Sequence, residues 1–391
     1  MTDLKKRKEI ARELLSTGID PGDLDLKPDL EALPETMAAR RRLHLPFPDG
    51  LAPVPLELPE VPDPDEPLPR ADILVITWTV AENNGLADVL TPGFSRKKWY
   101  RYRHRFDEHY QALIRTYAPA QKANRLGSWF FTQVGTKKVM CFKSELHLNQ
   151  DGIKTGEGTA TLPVKGMFKQ LIDEVKPGLV ITTGTSGGVF LEHDLGDVVV
   201  TRGAKFRLAD EFKNEPFNGK SYRCEWDINT QYFEAAKDLM VLYKERLIEP
   251  AFAPPTKRYK FDQPPIEACP NNPDIKLDGK DEMSPFHPIL TTDFFEFGTS
   301  ANHLEEEGCA VDMGDAVLGL ACEELDDPPL WVVARNISDP QINADLPTTP
   351  GSLDMQVHWA VWYYQKFGYW TSVNGALAVW ALLSGFDSTA V

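Results

Sequence analysis

The apolar positions of this chain fall into two regimes, short β-branched runs and stretches with helical spacing, and the two alternate from residue 71 onward. Ala71-Asp72-Ile73-Leu74-Val75-Ile76-Thr77 is a run that suits a strand buried on both faces. Residues 107–116 read as helix, Val139-Met140-Cys141-Phe142 as a second buried strand, and Met167, Leu171, Ile172 and Val175 return to helical spacing. Lys176-Pro177-Gly178 then stops the helix, Leu179 to Thr183 predicts a strand, and Gly184-Thr185-Ser186-Gly187-Gly188 predicts a glycine-rich turn after it. Residues 197–201 predict another strand. Residues 209–288 are polar, proline-bearing and poorly periodic apart from a helix predicted at 230–246, and read as an insertion. Beyond it, 289–292, 310–312 and 330–335 read as strands and 315–324 as a helix, while the aromatic-rich stretches 353–364 and 372–383 predict two covering helices.

Strand and helix alternating in this way imply an α/β protein, three layers deep (α/β/α), with a central mixed, largely parallel twisted sheet. The first 70 residues differ. A charged, helix-like stretch at 2–16 is followed by proline runs such as Pro53-Val54-Pro55 and Pro62-Asp63-Pro64, which favour an extended arm. The expected division is an arm at 1–70 and one domain at 71–391, interrupted at about 209–288. With 391 residues the chain could also have held two or three small domains.

Composition narrows the functional classes. At 42% hydrophobic and 26% charged, with net charge −16, the chain reads as globular and is a poor match for a nucleic-acid polymer or an anionic membrane. The longest apolar run near either end, 374–386, is too short to cross a bilayer and no signal-peptide core follows Lys5-Lys6-Arg7-Lys8, so a cytoplasmic location is expected. Five widely spaced cysteines form no CxxC pair, and the eight histidines show no ligand spacing such as HExxH, so neither a metal nor any other cofactor is expected. His104, His109 and His147 read as solvated or structural.

Ligands in open α/β sheets sit where strands end. Four polar clusters occupy such places: Glu82, the stretch Gly184 to Gly188, Asp312-Met313-Gly314-Asp315, and Ser338-Asp339. A fifth feature is the basic run Arg96-Lys97-Lys98-Trp99-Tyr100-Arg101-Tyr102-Arg103-His104-Arg105, either a solvated or intersubunit patch or a phosphate-binding wall.

In order and spacing, Thr183 to Gly188, Leu195 to Val200, Ala310 to Met313 and Val333 to Asp339 resemble the purine nucleoside phosphorylase superfamily. They are most similar to its hydrolytic branch, the methylthioadenosine/S-adenosylhomocysteine nucleosidases, over about residues 72–339. The resemblance implies cleavage of the N-glycosidic bond of a purine nucleoside or nucleotide, with adenine the favoured base. It implies Asp339 as the acid that protonates the base, Glu82 as the carboxylate that activates water, and Arg335 beside that carboxylate. It further implies Gly184, Thr185, Ser186 and Gly187 beside the ribose, Phe294 and Phe295 at the base, Glu296 at its edge, and Asp312, Met313 and Ser338 around the substrate. One position departs from the pattern: where the family places a ribose-holding glutamate after the methionine, this chain has Gly314, and Asp315 is the candidate to replace it. Arg101, Arg103 and Lys143 are candidates for a substrate phosphate. Phosphorolysis of the same bond and a non-catalytic nucleotide sensor are the alternatives. The resemblance also brings a homo-oligomer as an expectation, and nucleotide-destroying enzymes of antiphage defence as an analogy of fold.

Overall fold

The computed structural model describes residues 43–248, 265–266, 272–281, 283–348 and 354–387. The helix expected at 2–16 and Cys269 lie outside them. The strands run in chain order as β1 (Val54–Leu56), β2 (Ile73–Thr77), β3 (Tyr100–Tyr102), β4 (Gly127–Val134), β5 (Lys137–Ser144), β6 (Lys154–Gly156), β7 (Thr159–Ala160), β8 (Leu179–Gly188), β9 (Val198–Thr201), β10 (Gly203–Phe206), β11 (Ser221–Arg223), β12 (Ile275–Leu277), β13 (Ile289–Thr291), β14 (Ala310–Asp312) and β15 (Leu330–Asp339). The main helices are α1 (Val80–Leu90), α2 (Pro163–Val175), α3 (Phe233–Val241), α4 (Asp315–Glu323) and α5 (Met355–Gly385).

All of these strands except β6 and β7 join one mixed sheet, ordered β1-β4-β5-β2-β8-β14-β13-β10-β11, with β15 bridging β8 and β9. Its centre, β5, β2, β8 and β15, is parallel, as are β14, β13 and β10. Such strands lose water on both faces, which is why Ile73 to Thr77 are all buried. Helices α1 and α3 pack on α5 in one layer, and α2 packs on α4 in another. The α/β architecture with its mixed sheet is therefore as expected. No helix among the described residues is long and apolar enough to cross a membrane.

Several local expectations change. Gly184 to Gly188 are not a turn but the last half of β8, held extended because β15 pairs along one edge from Leu179 to Gly187. β8's other edge is shared: β2 occupies it as far as Thr182, and β14 takes it at Gly187 and Gly188. Between them, residues 183–186 have no strand partner on that edge, and the candidate site lies at this gap.

The two C-terminal helices are one helix of 31 residues. No proline breaks 365–371, and the hydroxyls of Thr371 and Ser372 donate back to the Gly368 carbonyl within it. The helix expected at 107–116 is instead a π-helical turn at Phe106–Tyr110 and a 3-10 turn at Gln111–Leu113. It starts from Arg105 in the left-handed region (φ 59°), and Ile114 is drawn off into an antiparallel bridge with Gly152. Within 209–288, β11 pairs with β10 and β12 with β9, so this segment extends the main sheet at two places.

The proline-rich stretch is docked on its own chain. β1 pairs antiparallel with β4, Phe47 meets the Trp380 ring at 4.9 Å, and Trp380 Nε1 donates to the Leu51 carbonyl at 2.8 Å.

Candidate active site

β2 ends at Thr77 and the chain turns at once into α1. Thr79 caps the helix, its hydroxyl accepting the Glu82 N–H while the Glu82 side chain reaches back to the Thr79 N–H. This capping box aims Glu82 into the gap on β8. Oε2 accepts from Thr77 Oγ1, Trp78 N and Thr79 N at 2.8–3.1 Å. Oε1 accepts from the backbone and hydroxyl of Thr185 at 2.9 and 2.8 Å, so the carboxylate satisfies an N–H that no strand reaches. Burial by itself would raise the pKa of Glu82, but the Arg335 guanidinium and these hydrogen bonds hold it below the usual carboxylate value.

Arg335, on β15, carries its charge through the core by a planar fork. Nε and Nη2 donate to the two oxygens of Asp315 at 2.7 Å each, and Nη2 also donates to Asp312 Oδ2 at 3.1 Å. Its guanidinium lies 4.8 Å from the centre of the Trp78 ring. Burial opposes the charge, yet Asp315 and Asp312 outweigh it and hold Arg335 above its ordinary value. Asp312 accepts four hydrogen bonds, from Thr291 Oγ1, Gly314 N, Asp315 N and Arg335. Burial and the adjacent Asp315 nevertheless push it up to about 7.

Gly184 makes this cluster possible. A Cβ there would stand 2.6 Å from both Arg335 Nη1 and the Glu82 carboxyl.

Asp339 closes β15 in opposite surroundings. It is 4% exposed, Oδ1 accepts from Ser338 Oγ at 2.8 Å, and Oδ2 has no hydrogen-bond partner. Burial pushes its carboxyl well above the ordinary value, with only the Ser338 hydroxyl pulling down. Gly187 opposite it leaves the space into which Oδ2 projects, a Cβ there being 3.0 Å away.

One cavity of about 680 Å³ joins these groups. Glu82, Thr185, Ser186, Gly187, Phe294, Phe295, Glu296, Asp312, Met313, Arg335, Ser338, Asp339 and Lys143 all line it. Phe295 lies 6.1 Å from Phe297, and Glu296 is tied by its side chain to Arg207.

Four expected site residues lie elsewhere. Gly184 sits behind the wall as a spacer. Asp315, the candidate for holding the sugar, is fully buried on Arg335 and is not among the residues that line the cavity. Arg101 and Arg103 are also outside the lining: Arg101 points out from β3, an outer strand on β4, and Arg103 is bound by Asp65 and Asp107. None of residues 96–105 is among those that line this cavity, and β3 lies on the far side of β4 from β5, whose end supplies Lys143.

Sequence reasoning overlooked Trp78, Arg115, Tyr117, Lys122 and His147, which also line the cavity. Trp78 and His147 follow the C-terminal ends of β2 and β5, the signal that already singled out Glu82. His147, set aside as solvated or structural, is held well below its usual value, at about 4, by burial and by Lys143.

No protein-family model matches the chain, and no curated protein matches it. Among solved structures, the 5'-methylthioadenosine/S-adenosylhomocysteine nucleosidase from Neisseria meningitidis, in complex with methylthio-immucillin-A, is 13% identical with a TM-score of 0.42, covering 81% of this chain and 100% of its own. The futalosine hydrolase of Helicobacter pylori is 10% identical with a TM-score of 0.41, over 80% and 97%. A putative 5'-methylthioadenosine/S-adenosylhomocysteine nucleosidase from Borrelia burgdorferi, bound to adenine, is 16% identical with a TM-score of 0.41, over 79% and 98%. The chain is similar to each of these three structures.

Proposed function

We propose that the protein hydrolyses the N-glycosidic bond of a purine nucleoside or nucleotide, adenine being the favoured base, and releases the free base. The observation that carries this reading is a pair of carboxyls in one cavity whose surroundings drive them apart: Asp339 held as the acid, Glu82 held as the carboxylate. Breaking a ribosyl–purine bond requires this division of labour, because the base leaves poorly until protonated and the sugar gains positive charge as it goes.

In the reading, Asp339 Oδ2 gives its proton to the purine N7 as the bond from C1′ to N9 breaks, and the electron pair stays with the base. A water attacks C1′ and gives a proton to Glu82; once Glu82 loses that proton to solvent and Asp339 regains one from it, the net change is one water consumed, one base and one free sugar formed. Backbone N–H groups of Trp78, Thr79 and Thr185 hold Glu82 in place, and the Thr77 and Thr185 hydroxyls also donate to it; in the reading one of these hydroxyls turns away to open a lone pair to that water. Phe294 and Phe295 supply apolar surface for the base.

The test is to incubate the full-length protein with adenosine, methylthioadenosine and adenosine 5′-monophosphate, with and without inorganic phosphate, and to measure free base by chromatography. Release without phosphate is expected, and Asp339→Asn should lower kcat by about 10²- to 10⁴-fold. A strict requirement for phosphate would make the reaction phosphorolysis. Tight binding of an adenine nucleotide without turnover would make the protein a sensor.

A further inference from the structure

The cavity lining carries ionisable groups of both signs. The carboxylates that line it are already engaged: Glu82 accepts five hydrogen bonds, Asp312 four, and Glu296 is bound to Arg207. The same lining carries Lys143 at the C-terminal end of β5 and Arg115 and Lys122 from the segment 115–122, together with His147, Asn149 and Gln150.

The acids that balance these cations stand behind the wall. Glu145, which pairs with Lys143, and Glu211, which accepts two bonds from Arg115, are both buried and neither lines the cavity. They fix the cations in place without occupying the space in front of them. Lys122 is exposed, and among the described residues its ammonium has no hydrogen-bond or ion-pair partner. Three cationic side chains therefore line one cavity in a protein of net charge −16, and two of them, Arg115 and Lys143, both act on the buried Asp151 carboxyl.

Their position says which part of a substrate they would meet. From β15, which carries Asp339, to β5, which carries Lys143, the sheet passes through β8 and β2, three strand spacings or about 14 Å. Glu82 and Thr185 lie between. A nucleoside laid with its base against Asp339 and its sugar beside Glu82 would end short of Lys143, and a substituent on the 5′ carbon would extend toward it.

We infer that Lys122, Arg115 and Lys143 form a binding site for a phosphate ester on the 5′ carbon, and that the substrate is a purine nucleoside 5′-phosphate rather than the bare nucleoside. The inference rests on the proposed hydrolysis for the direction in which the substrate lies. Lysine and arginine suit a phosphate dianion as a point charge and as a two-bond fork respectively.

Adenosine 5′-monophosphate and adenosine are the probes, with the full-length protein and base release as the readout. The monophosphate should have a kcat/KM at least tenfold above that of adenosine, and Lys122→Ala should reduce that ratio at least fivefold while Lys122→Arg restores it. Equal use of the two substrates, or a ratio untouched by Lys122→Ala, overturns the inference and leaves hydrolysis standing. Base release that requires added inorganic phosphate also overturns it, since the wall would then hold the free ion. If no substrate loses its base, the hydrolysis reading fails, and calorimetry on the same preparations decides the phosphate site. Binding of the monophosphate at least tenfold tighter than adenosine, and weakened by Lys122→Ala, supports the site. Equal binding removes it.

Discussion

Asp339 and Glu82 are equally hidden from water, and the difference between them lies in their donors. Five hydrogen bonds and a nearby guanidinium keep Glu82 charged, whereas a single hydroxyl leaves Asp339 to the desolvation that favours its proton. The pH dependence follows with a definite sign. Base release should fall as pH rises through the elevated pKa of Asp339, and should persist on the acid side to below the usual carboxylate range because Glu82 stays ionised there; a kcat/KM profile checks both limbs. Stability follows the same group, since its folded pKa is raised. The stability it allows is present at acid pH and lost as pH rises through that pKa, so Asp339→Asn should lose activity while gaining thermal stability toward alkaline pH. These charges were only half legible in the sequence. The positions of Glu82 and Asp339 could be read from strand ends, but Asp315 lies next in line to Gly314 and still turns inward, because Arg335 arrives from a strand 20 residues away. No local pattern announces such a partner.

At the scale of elements, the site depends on how closely α1 and β8 approach their neighbours. A Cβ on Gly85 would lie 2.8 Å from the Ser372 backbone of α5, and Gly85 is one turn after Glu82 on α1. Gly85→Ala should therefore push α1 outward, destabilise the fold by about 1–3 kcal/mol and lower kcat, seen as a lower Tm together with reduced base release. Gly184→Ala should act on the other side of the same carboxylate, and because Glu82 and Arg335 are pinned by hydrogen bonds the added methyl must displace one of them, so base release and Tm should fall together. The strand and helix alternation was readable because buried parallel strands carry continuous apolar runs. The extended state of Gly184 to Gly188 was not, since small residues in sequence signal a turn and only the neighbouring strands β15 and β14 reveal that their smallness serves close approach. The single helix α5 was misread for a related reason: its polar middle, Gln365 and Lys366, is a solvated face rather than an end.

For the whole molecule, residues 43–59 behave as part of the sheet and its covering helix. β1 covers one edge of β4, and the Leu51 carbonyl and Phe47 ring bind Trp380 of α5. Removing residues 1–58 should lower Tm and promote aggregation through the bared strand, which thermal melting with light scattering would report. Substrate choice is also set by the molecule as a whole, through which contacts the cavity provides and which it omits. Gly314 adds no side chain to the cavity wall, and the Trp78 ring, 3.3 Å from where a Cβ would stand, leaves little room for one, so in the proposed reaction no carboxylate at this position would grip the sugar hydroxyls. A site that grips a hydroxyl rejects the analogue lacking it by roughly 10⁴-fold. Here ribose and 2′-deoxyribose substrates should differ far less, which parallel kinetics on the two would measure. The precursors of RNA and of DNA would then be equally within reach of one pocket, told apart by supply and not by fit.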